Sequence, residues 1–252
     1  MNGCGAYNSD MDICVVIRQD ELNQEKQQVL NNLRSLKYRF DKIPIIRHIQ
    51  LIPAVFFMGL KADININNVA GIYNTHFIHH YSRQDKRFPA LYLVIHHFGL
   101  NAGINSAKDG TLNSYSLVLL VIHYLQCACQ PPILPNLQEA CPDIFNAQVP
   151  IENLRFFKNE YSFKTDNHAD CTALLMGFFA YYAGFKFDKY GISIRRGRVF
   201  QKNTLPAETC SKYMIFIEDP FDHNNTARSI SREGYERIKT SIRRADEILN
   251  RE

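Results

Sequence analysis

The chain has 252 residues, of which 46% are hydrophobic and 21% are charged, with 12 glycines and 10 prolines. This composition excludes a disordered, collagenous or low-complexity chain, and the length allows one or two globular domains. The formal net charge of +4 is far below that of a dedicated nucleic-acid-binding protein, so charge alone identifies no partner.

The first 70 residues predict a small α+β domain. Residues 12–17 form a β-rich, nearly continuous apolar run after turn-forming asparagine and glycine, which predicts a buried strand. Over residues 21–38, apolar side chains recur every three or four positions and predict an amphipathic helix. Three short β-rich runs follow, separated by proline and glycine turns: about 45–51, 54–59 and 61–67.

The remainder of the chain is predicted to be mainly helical. The segment 71–230 is expected to form a second domain that faces the sheet domain across a cleft, and 231–252 a C-terminal helix. The helices predicted within 71–230 are 71–83, 88–102, 111–127 and 170–184. A polar stretch, 186–212, combines a β-like run with a basic cluster, either a contact surface for RNA phosphates or a solvated face: Arg195, Arg196, Arg198, Lys202 and Lys212.

The cysteines and the apolar runs indicate the cellular compartment of the protein. None of the seven cysteines has the paired C-x2-C spacing of a zinc site, and several lie in apolar runs, so free thiols in a reducing, intracellular environment are expected. We find no signal peptide and no apolar run of the length that spans a membrane. The sequence therefore predicts a cytoplasmic protein without a membrane partner.

Acidic residues occur at unusual places in two predicted strands. Asp10 and Asp12 are two positions apart at the mouth of the first strand, so they share a face, and Asp63 lies in an otherwise apolar alternation. Three carboxylates on adjacent strands suit Mg²⁺ or Mn²⁺ and the two-metal chemistry of nucleotidyl transfer. Taken alone, a D-x-D pair occurs often by chance and is more commonly a turn, a helix cap or a glycosyltransferase metal motif than a catalytic pair of this kind.

Five sequence blocks together resemble the polymerase-β-like nucleotidyltransferases, and within them the cytoplasmic poly(A) polymerases of the germline-development type and the terminal uridylyltransferases. The blocks are NGCG with SDMD (2–12), DININNVAGIYNT (63–75), GTLNSYS (110–116), LLMGFFAYY (174–182) and IEDPFD (217–222). The resemblance implies a catalytic sheet domain beside a helical, poly(A)-polymerase-associated domain. It also implies addition of AMP from ATP to the 3′ end of mRNA.

The resemblance assigns roles to the acids and to the helix that follows. It makes Asp10, Asp12 and Asp63 catalytic metal ligands, the last nearest the attacking 3′-hydroxyl. Gly71, Asn74 and Thr75 correspond to the family's helix turn at the ribose. Without the resemblance, the last two residues would read equally well as a helix cap.

Five further residues correspond to the nucleotide site of the family. Ser114 matches a serine that contacts the triphosphate, and Tyr115 matches a tyrosine stacked on the base, although a tyrosine at the start of an apolar helix is ordinarily a core residue. Asp219 and Asp222 match the loop that closes the base pocket, and otherwise read as a turn. His96 stands where the family often has lysine, which reduces the charge offered to the triphosphate.

Two departures from the family pattern bear on the nucleotide substrate and on how much of the catalytic domain the chain contains. Uridylyltransferases usually place a histidine in the pocket loop, and when the loops are aligned from Arg228 that position is Asn224, which favours ATP over UTP. His223 lies one residue earlier, which leaves uridylyl transfer open. The family's Gly-Ser pair would precede Met1, so we expect an N-terminally truncated catalytic domain.

The sequence contains no RNA-recognition module of its own. By family likeness, an RNA-binding adaptor, of the KH-domain type, is therefore expected to deliver the mRNA 3′ end. The non-enzymatic alternative is that the chain is a catalytically silent scaffold of the same fold.

Overall fold

The computed structural model describes residues 2–5, 11–16, 26–42, 46–50, 54–57, 60–66, 69–156 and 161–251. The chain divides into two compact units, described separately below: unit 1 is Gly5–His76, and unit 2 is Asn2–Cys4 with Phe77–Glu252. No helix within the described ranges is long and apolar enough to cross a membrane.

Unit 1 contains a four-stranded sheet and a helix. Its elements are β1 (Met11–Val15), α1 (Lys26–Phe40), β2 (Ile46–Gln50), β3 (Ala54–Phe57), β4 (Leu60–Ile66) and the first turns of α2 (Ala70–Gln84). The strand order is β1-β4-β3-β2, with β1 parallel to β4 and the other neighbours antiparallel. The predicted order of one strand, a helix and three strands is confirmed.

Unit 2 is mainly helical and carries a second, small sheet. Its helices are the remainder of α2, then α3 (Arg87–Asn101), α4 (Ser114–His123), α5 (Leu137–Ala140), α6 (Cys171–Gly184), α7 (Ala207–Lys212) and α8 (Arg232–Leu249). Its strands are β5 (Tyr190–Ser193), β6 (Arg198–Gln201) and β7 (Ile217–Glu218), in the order β6-β5-β7. The mixture of helices and two sheets is the predicted α+β class.

Helix α4 is the centre of the unit 2 core. Every residue in the range 116–123 is buried, because the sequence is apolar around the whole helix and α3 packs beside it. Asn113 caps its N-terminus by accepting a hydrogen bond from the backbone N–H of Ser116 at 2.6 Å. The start of α4 is therefore held by the Asn113 cap and by the burial of the helix that follows.

The end of α4 differs from the predicted helix 111–127. The α-helix stops at His123 and continues as a π-helical turn, Tyr124–Ala128. The reason lies in the carbonyl of Leu125, which accepts hydrogen bonds from the N–H groups of Ile133 and Leu134 instead of from the next helical turn. The N–H of Cys129 consequently donates to the carbonyl of Tyr124.

Helix α8 closes unit 2 by packing on α6. Its buried positions, Gly234, Ile238, Ile242 and Ala245, recur at three- and four-residue spacing and form one apolar face on a charged helix. The helix begins where the N–H of Ser231 donates to the carbonyl of Gly110 at 2.9 Å. A side-chain carbon on Gly234 would overlap that carbonyl, so glycine is required at this position.

Candidate active site

The sheet of unit 1 pairs two of the three predicted catalytic acids. Asp12 on β1 is in register with Asp63 on β4, so the two residues sit side by side on neighbouring parallel strands. The side chain of Asp12 is exposed. Asp10 lies outside the described residues. Paired positions on adjacent strands share a face, which is the arrangement a carboxylate site for a divalent cation requires.

The predicted ribose-contacting residues begin α2 in unit 1. Gly71 occupies the second position of the helix and is exposed, and Asn74 and Thr75 follow one turn later and are half-buried. A side-chain carbon on Gly71 would meet no atom within 4 Å, so packing does not explain a glycine there. The open surface at this turn leaves room for a ligand to approach the backbone.

In unit 2, a short chain of polar groups joins α3 to the start of α4. The hydroxyl of Ser114 lies 3.4 Å from Nε2 of His96 and accepts a hydrogen bond from the Nδ2 amide of Asn105 at 3.3 Å. Burial, reinforced by the neighbouring His97, lowers the pKa of His96. At neutral pH this site therefore offers hydroxyl, amide and neutral imidazole groups, without the ammonium that a lysine would supply.

The side chains of Tyr115 and of the loop acid Asp219 form a hydrogen bond. The phenol hydroxyl donates to the carboxylate, and the same carboxylate accepts the N–H groups of Phe221 at 2.8 Å and Asp222 at 3.2 Å. Burial is the largest influence on both side chains: it raises the pKa of the phenol, and it raises the pKa of Asp219 despite these hydrogen bonds. The structure thus brings together two residues that lie 104 positions apart in the chain.

The loop 219–224 is closed by its own backbone. The N–H of Asp219 donates to the carbonyl of Asn224 at 2.8 Å, and the carboxylate of Asp222 accepts the N–H of Asn224 at 2.8 Å. His223 adopts the left-handed conformation at φ 62°, which tightens the turn. The carboxylate-bearing side chain of Asp222 is exposed, whereas Asp219 is buried.

The segment directly after this loop is hydrogen-bonded to the start of α4. The Nδ2 amide of Asn113 donates to the carbonyl of Thr226 at 3.0 Å, and the hydroxyl of Ser116 donates to the Thr226 hydroxyl at 3.0 Å. These bonds fix the loop beside Ser114 and Tyr115. Sequence reasoning assigned no role to Asn113, although an asparagine directly before an apolar helix is the ordinary signal of an N-cap.

A second residue that the sequence interpretation passed over is Glu218. Its buried carboxylate accepts the hydroxyl of Ser193 and lies 3.2 Å from the guanidinium of Arg195 and 3.6 Å from that of Arg196. The imidazole of His223 is 3.9 Å away. The signal in the sequence was an acid at the end of an apolar run, which must find a partner when it is buried.

The structure separates the members of the predicted basic cluster. Arg195 and Arg196 are ion-paired with Glu218, Arg198 and Lys212 are exposed, and Lys202 is buried. The ammonium group of Lys202 donates to three backbone carbonyls, those of Phe187, Tyr213 and Met214. Lys202 therefore belongs to the interior of unit 2 and to no surface for RNA phosphates.

The seven cysteines are free thiols, as predicted. Burial raises the pKa of Cys4 and of Cys127 to about 12, so both thiols are protonated at neutral pH. No group of three or more His, Cys, Asp and Glu side chains suited to a metal ion occurs in the part of the chain that the structure describes.

Two protein-family models match the chain. Residues 171–225 match the family described as Cid1 family poly A polymerase, and residues 1–83 match the central palm domain of the mitochondrial-like poly(A) RNA polymerases. Poly(A) RNA polymerase GLD2 of Danio rerio is 36% identical over 262 residues, which cover 99% of this chain and 52% of that protein. The chain thus spans about half the length of this relative.

Solved structures decide the family. A chain of the structure described as the GLD-2/RNP-8 complex is 30% identical, with a TM-score of 0.81 over 98% of this chain and 79% of that chain. The chain belongs to the GLD-2/Cid1 family. A histidine-to-asparagine mutant of the Cid1 poly(U) polymerase, bound to MgATP, is 27% identical, with a TM-score of 0.75 over 99% of this chain and 79% of its own. The predicted resemblance and the polymerase-β-like fold class, with its poly(A)-polymerase-associated region, are confirmed.

Proposed function

We propose that this member of the GLD-2/Cid1 family adds AMP from ATP to RNA 3′ ends without a template. The observation that carries the proposal is the register pairing of Asp12 with Asp63 in a chain whose relatives are named poly(A) RNA polymerases. A structural protein has no need of two acids side by side in a sheet, because like charges on adjacent strands are destabilising. A cation-dependent transferase needs them.

The three acids fit a divalent metal. Two carboxylate residues are paired across β1 and β4, and Asp10 lies two positions before Asp12, the hard oxygen donor set that Mg²⁺ or Mn²⁺ prefers. We propose Asp10, Asp12 and Asp63 as the metal ligands, with Asp63 nearest the RNA 3′-hydroxyl. Bound divalent cations supply charge neutralisation at the triphosphate and activation of the attacking hydroxyl.

The start of α2 is proposed to hold the sugar, and residues of α3 and α4 the phosphates. Gly71 admits the ribose to the exposed first turn of α2, where the amide of Asn74 both donates to and accepts from a 2′-hydroxyl and Thr75 adds a hydroxyl. In unit 2, Ser114 meets the triphosphate and His96 orients the Ser114 hydroxyl from 3.4 Å. A neutral imidazole adds no charge, so triphosphate affinity depends on the metal and the hydroxyl.

The base is proposed to lie at Tyr115 and the loop 219–224. Tyr115 is half-buried and its hydroxyl is engaged by Asp219, so the ring is held in one orientation suited to stacking. The exposed carboxylate of Asp222 only accepts hydrogen bonds when ionised, which suits a donor such as the exocyclic amine of adenine.

Uridylyl transfer is the second candidate, because the Cid1 neighbour is a poly(U) polymerase. Two features favour ATP. Asparagine occupies position 224, which the loop alignment from Arg228 makes the histidine position of the uridylyltransferases. The histidine that remains, His223, lies with its Nδ1 3.9 Å from the carboxylate of Glu218, so its ring lies beside that acid.

The proposal is tested by offering ATP and UTP separately to the chain with an oligo(A) primer and Mg²⁺. Lengthening of the primer with ATP at a kcat/KM at least about tenfold above that with UTP supports adenylyl transfer. A preference for UTP shows uridylyl transfer, and no lengthening with either nucleotide supports the silent scaffold. A primer with a blocked 3′ end is the matched control, and it must stay unextended.

An RNA-binding partner and a cellular compartment are proposed from the relatives and from the free thiols. GLD-2 is solved in a complex with RNP-8, and we propose that an RNA-binding partner, of the KH-domain type, brings the mRNA to this chain as well. Seven free cysteines suit the reducing cytoplasm. Comparing extension of a long RNA with and without a candidate adaptor tests the partner, which must stimulate extension of that RNA but not of oligo(A).

A further inference from the structure

Glu218 stands at the junction of two segments of unit 2. It is the last residue of β7 and immediately precedes the loop 219–224. Its backbone pairs with Ser193 of β5 on one side and forms a bridge with Asn225 on the other. The residue therefore anchors the start of the loop, and the bridge to Asn225 anchors its end.

The Glu218 side chain connects the loop to the turn between β5 and β6. One carboxylate oxygen accepts the Ser193 hydroxyl, and the other lies 3.2 Å from Arg195, 3.6 Å from Arg196 and 3.9 Å from His223 at the tip of the loop. Both oxygens are engaged. The turn and the loop tip, which the sequence separates, thus share one carboxylate.

Burial makes these contacts energetically important. The Glu218 side chain is 7% exposed, whereas the partner side chain of Arg195 is 33% exposed. A buried carboxylate is costly unless it is paired, and breaking such a pair leaves a buried charge without compensation. Nε of Arg195 is buried without a hydrogen-bond partner among the described residues, so the guanidinium depends on its Nη2 contact with Glu218.

We propose that Glu218 is a positioning residue for nucleotide binding. Its carboxylate holds the loop tip at the β5–β6 turn and thereby fixes Asp219 and Asp222 for the base. The inference rests on the proposed function, because it takes this loop to meet the base of ATP. Glu218 itself contacts no nucleotide in this account and acts through the loop.

The test compares Glu218→Gln with the wild-type chain. Glutamine keeps the shape but removes the charge that binds the two guanidinium groups. We expect the Kd and the KM for ATP to rise about tenfold, the loss of one charge-assisted contact, while kcat stays within about twofold. The Kd for inorganic tripolyphosphate, which has no base, should not change.

Matched variants separate positioning from charge and from folding. Arg198→Gln removes a charge from the same hairpin at an exposed position and should leave the Kd for ATP unchanged. Arg196→Gln weakens the same contact at a more exposed side chain and should give a smaller rise, so it decides the case if Glu218→Gln does not fold. In an Asp219→Asn background, Glu218→Gln should add little, because both act at one loop.

Calorimetric binding of ATP without RNA keeps this test independent of the proposed function. A wild-type chain that binds ATP but adds no nucleotide contradicts adenylyl transfer and still allows the Glu218 comparison. A folded Glu218→Gln chain with an unchanged Kd for ATP overturns the positioning role. An equal loss of affinity for ATP and for tripolyphosphate also overturns it, because that result shows damage beyond the base site.

Discussion

The hydroxyl of Tyr115 donates a hydrogen bond to the carboxylate of Asp219. The bond joins the first turn of α4 to the loop 219–224, and two loop N–H groups donate to the same carboxylate. Burial nevertheless dominates and raises the pKa of Asp219. The loop therefore keeps an acid at a place where its ionised form is disfavoured, which is typical of functional sites.

Asp219→Asn should stabilise the chain and weaken nucleotide binding. An acid whose pKa is raised on folding holds its proton more tightly in the folded state, so its ionisation lowers the free energy of unfolding as pH rises above the ordinary value of 3.8. Asparagine has no such cost and still accepts the loop N–H groups. We expect greater resistance to urea than wild type at neutral pH, an advantage that disappears at acidic pH, and a raised KM for ATP. Lower stability at neutral pH would show that the charged form is favoured.

His96→Lys should strengthen triphosphate binding. Burial keeps His96 neutral at pH 7, and an ammonium in its place would face the triphosphate beside Ser114. A charge-assisted contact predicts a KM for ATP about fivefold lower than wild type. His97→Lys adds the same charge at the next, exposed position of α3 and serves as the control. Equal effects of the two substitutions would point to general attraction instead of a local contact.

His123 should make the chain sensitive to acid. It is fully buried, its Nδ1 lies 2.8 Å from the Tyr182 hydroxyl, which itself donates to the carbonyl of Leu120, and burial lowers the pKa of His123 from 6.5 to about 3. As the pH falls, His123 becomes protonated in the unfolded chain before it does so in the folded chain. The free energy of unfolding therefore decreases as the pH falls below 6.5. Between pH 6.5 and 5.5 the wild type should lose about 1 kcal/mol of unfolding free energy relative to His123→Gln. Urea titrations at the two pH values measure this difference, and parallel losses in both chains would exclude His123 as the source.

Gly234→Ala should destabilise unit 2. Alanine ordinarily stabilises a helix relative to glycine, but here the added carbon overlaps the carbonyl of Gly110, which also accepts the N–H of Ser231. The overlap requires a backbone shift, so we expect a loss of about 2 kcal/mol. Thr240→Ala, at an exposed position of α8, is the control. Urea unfolding checks both, and a gain in stability for Gly234→Ala would show that the turn shifts without cost.

Periodicity and residue chemistry predicted much of the fold. The alternating run that contains Asp63 predicted a strand, and the structure places that residue beside Asp12 in register. Apolar spacing predicted the helices 71–83 and 88–102, which are observed as α2 and α3. These predictions succeed because one local pattern determines the element.

Contacts between distant segments could not be predicted in the same way. Lys202 appears in sequence as one of several surface cations, yet it is buried because three backbone carbonyls compensate its charge. Glu218 finds Arg195 only once β5 and β7 pair. Such pairings depend on tertiary structure, and residue spacing does not predict them.

The most direct test of the account is Mg²⁺-dependent extension of oligo(A) with ATP by the wild type and by Asp12→Ala. Asp12 is exposed on β1, so its loss should leave the fold intact. We expect a reduction in kcat of at least about 100-fold, because an acid proposed to hold the catalytic cations is gone. Asp41→Asn, which removes an exposed acid paired with Lys37, should retain wild-type activity. Equal extension by the wild type and by folded Asp12→Ala would contradict the carboxylate-dependent mechanism.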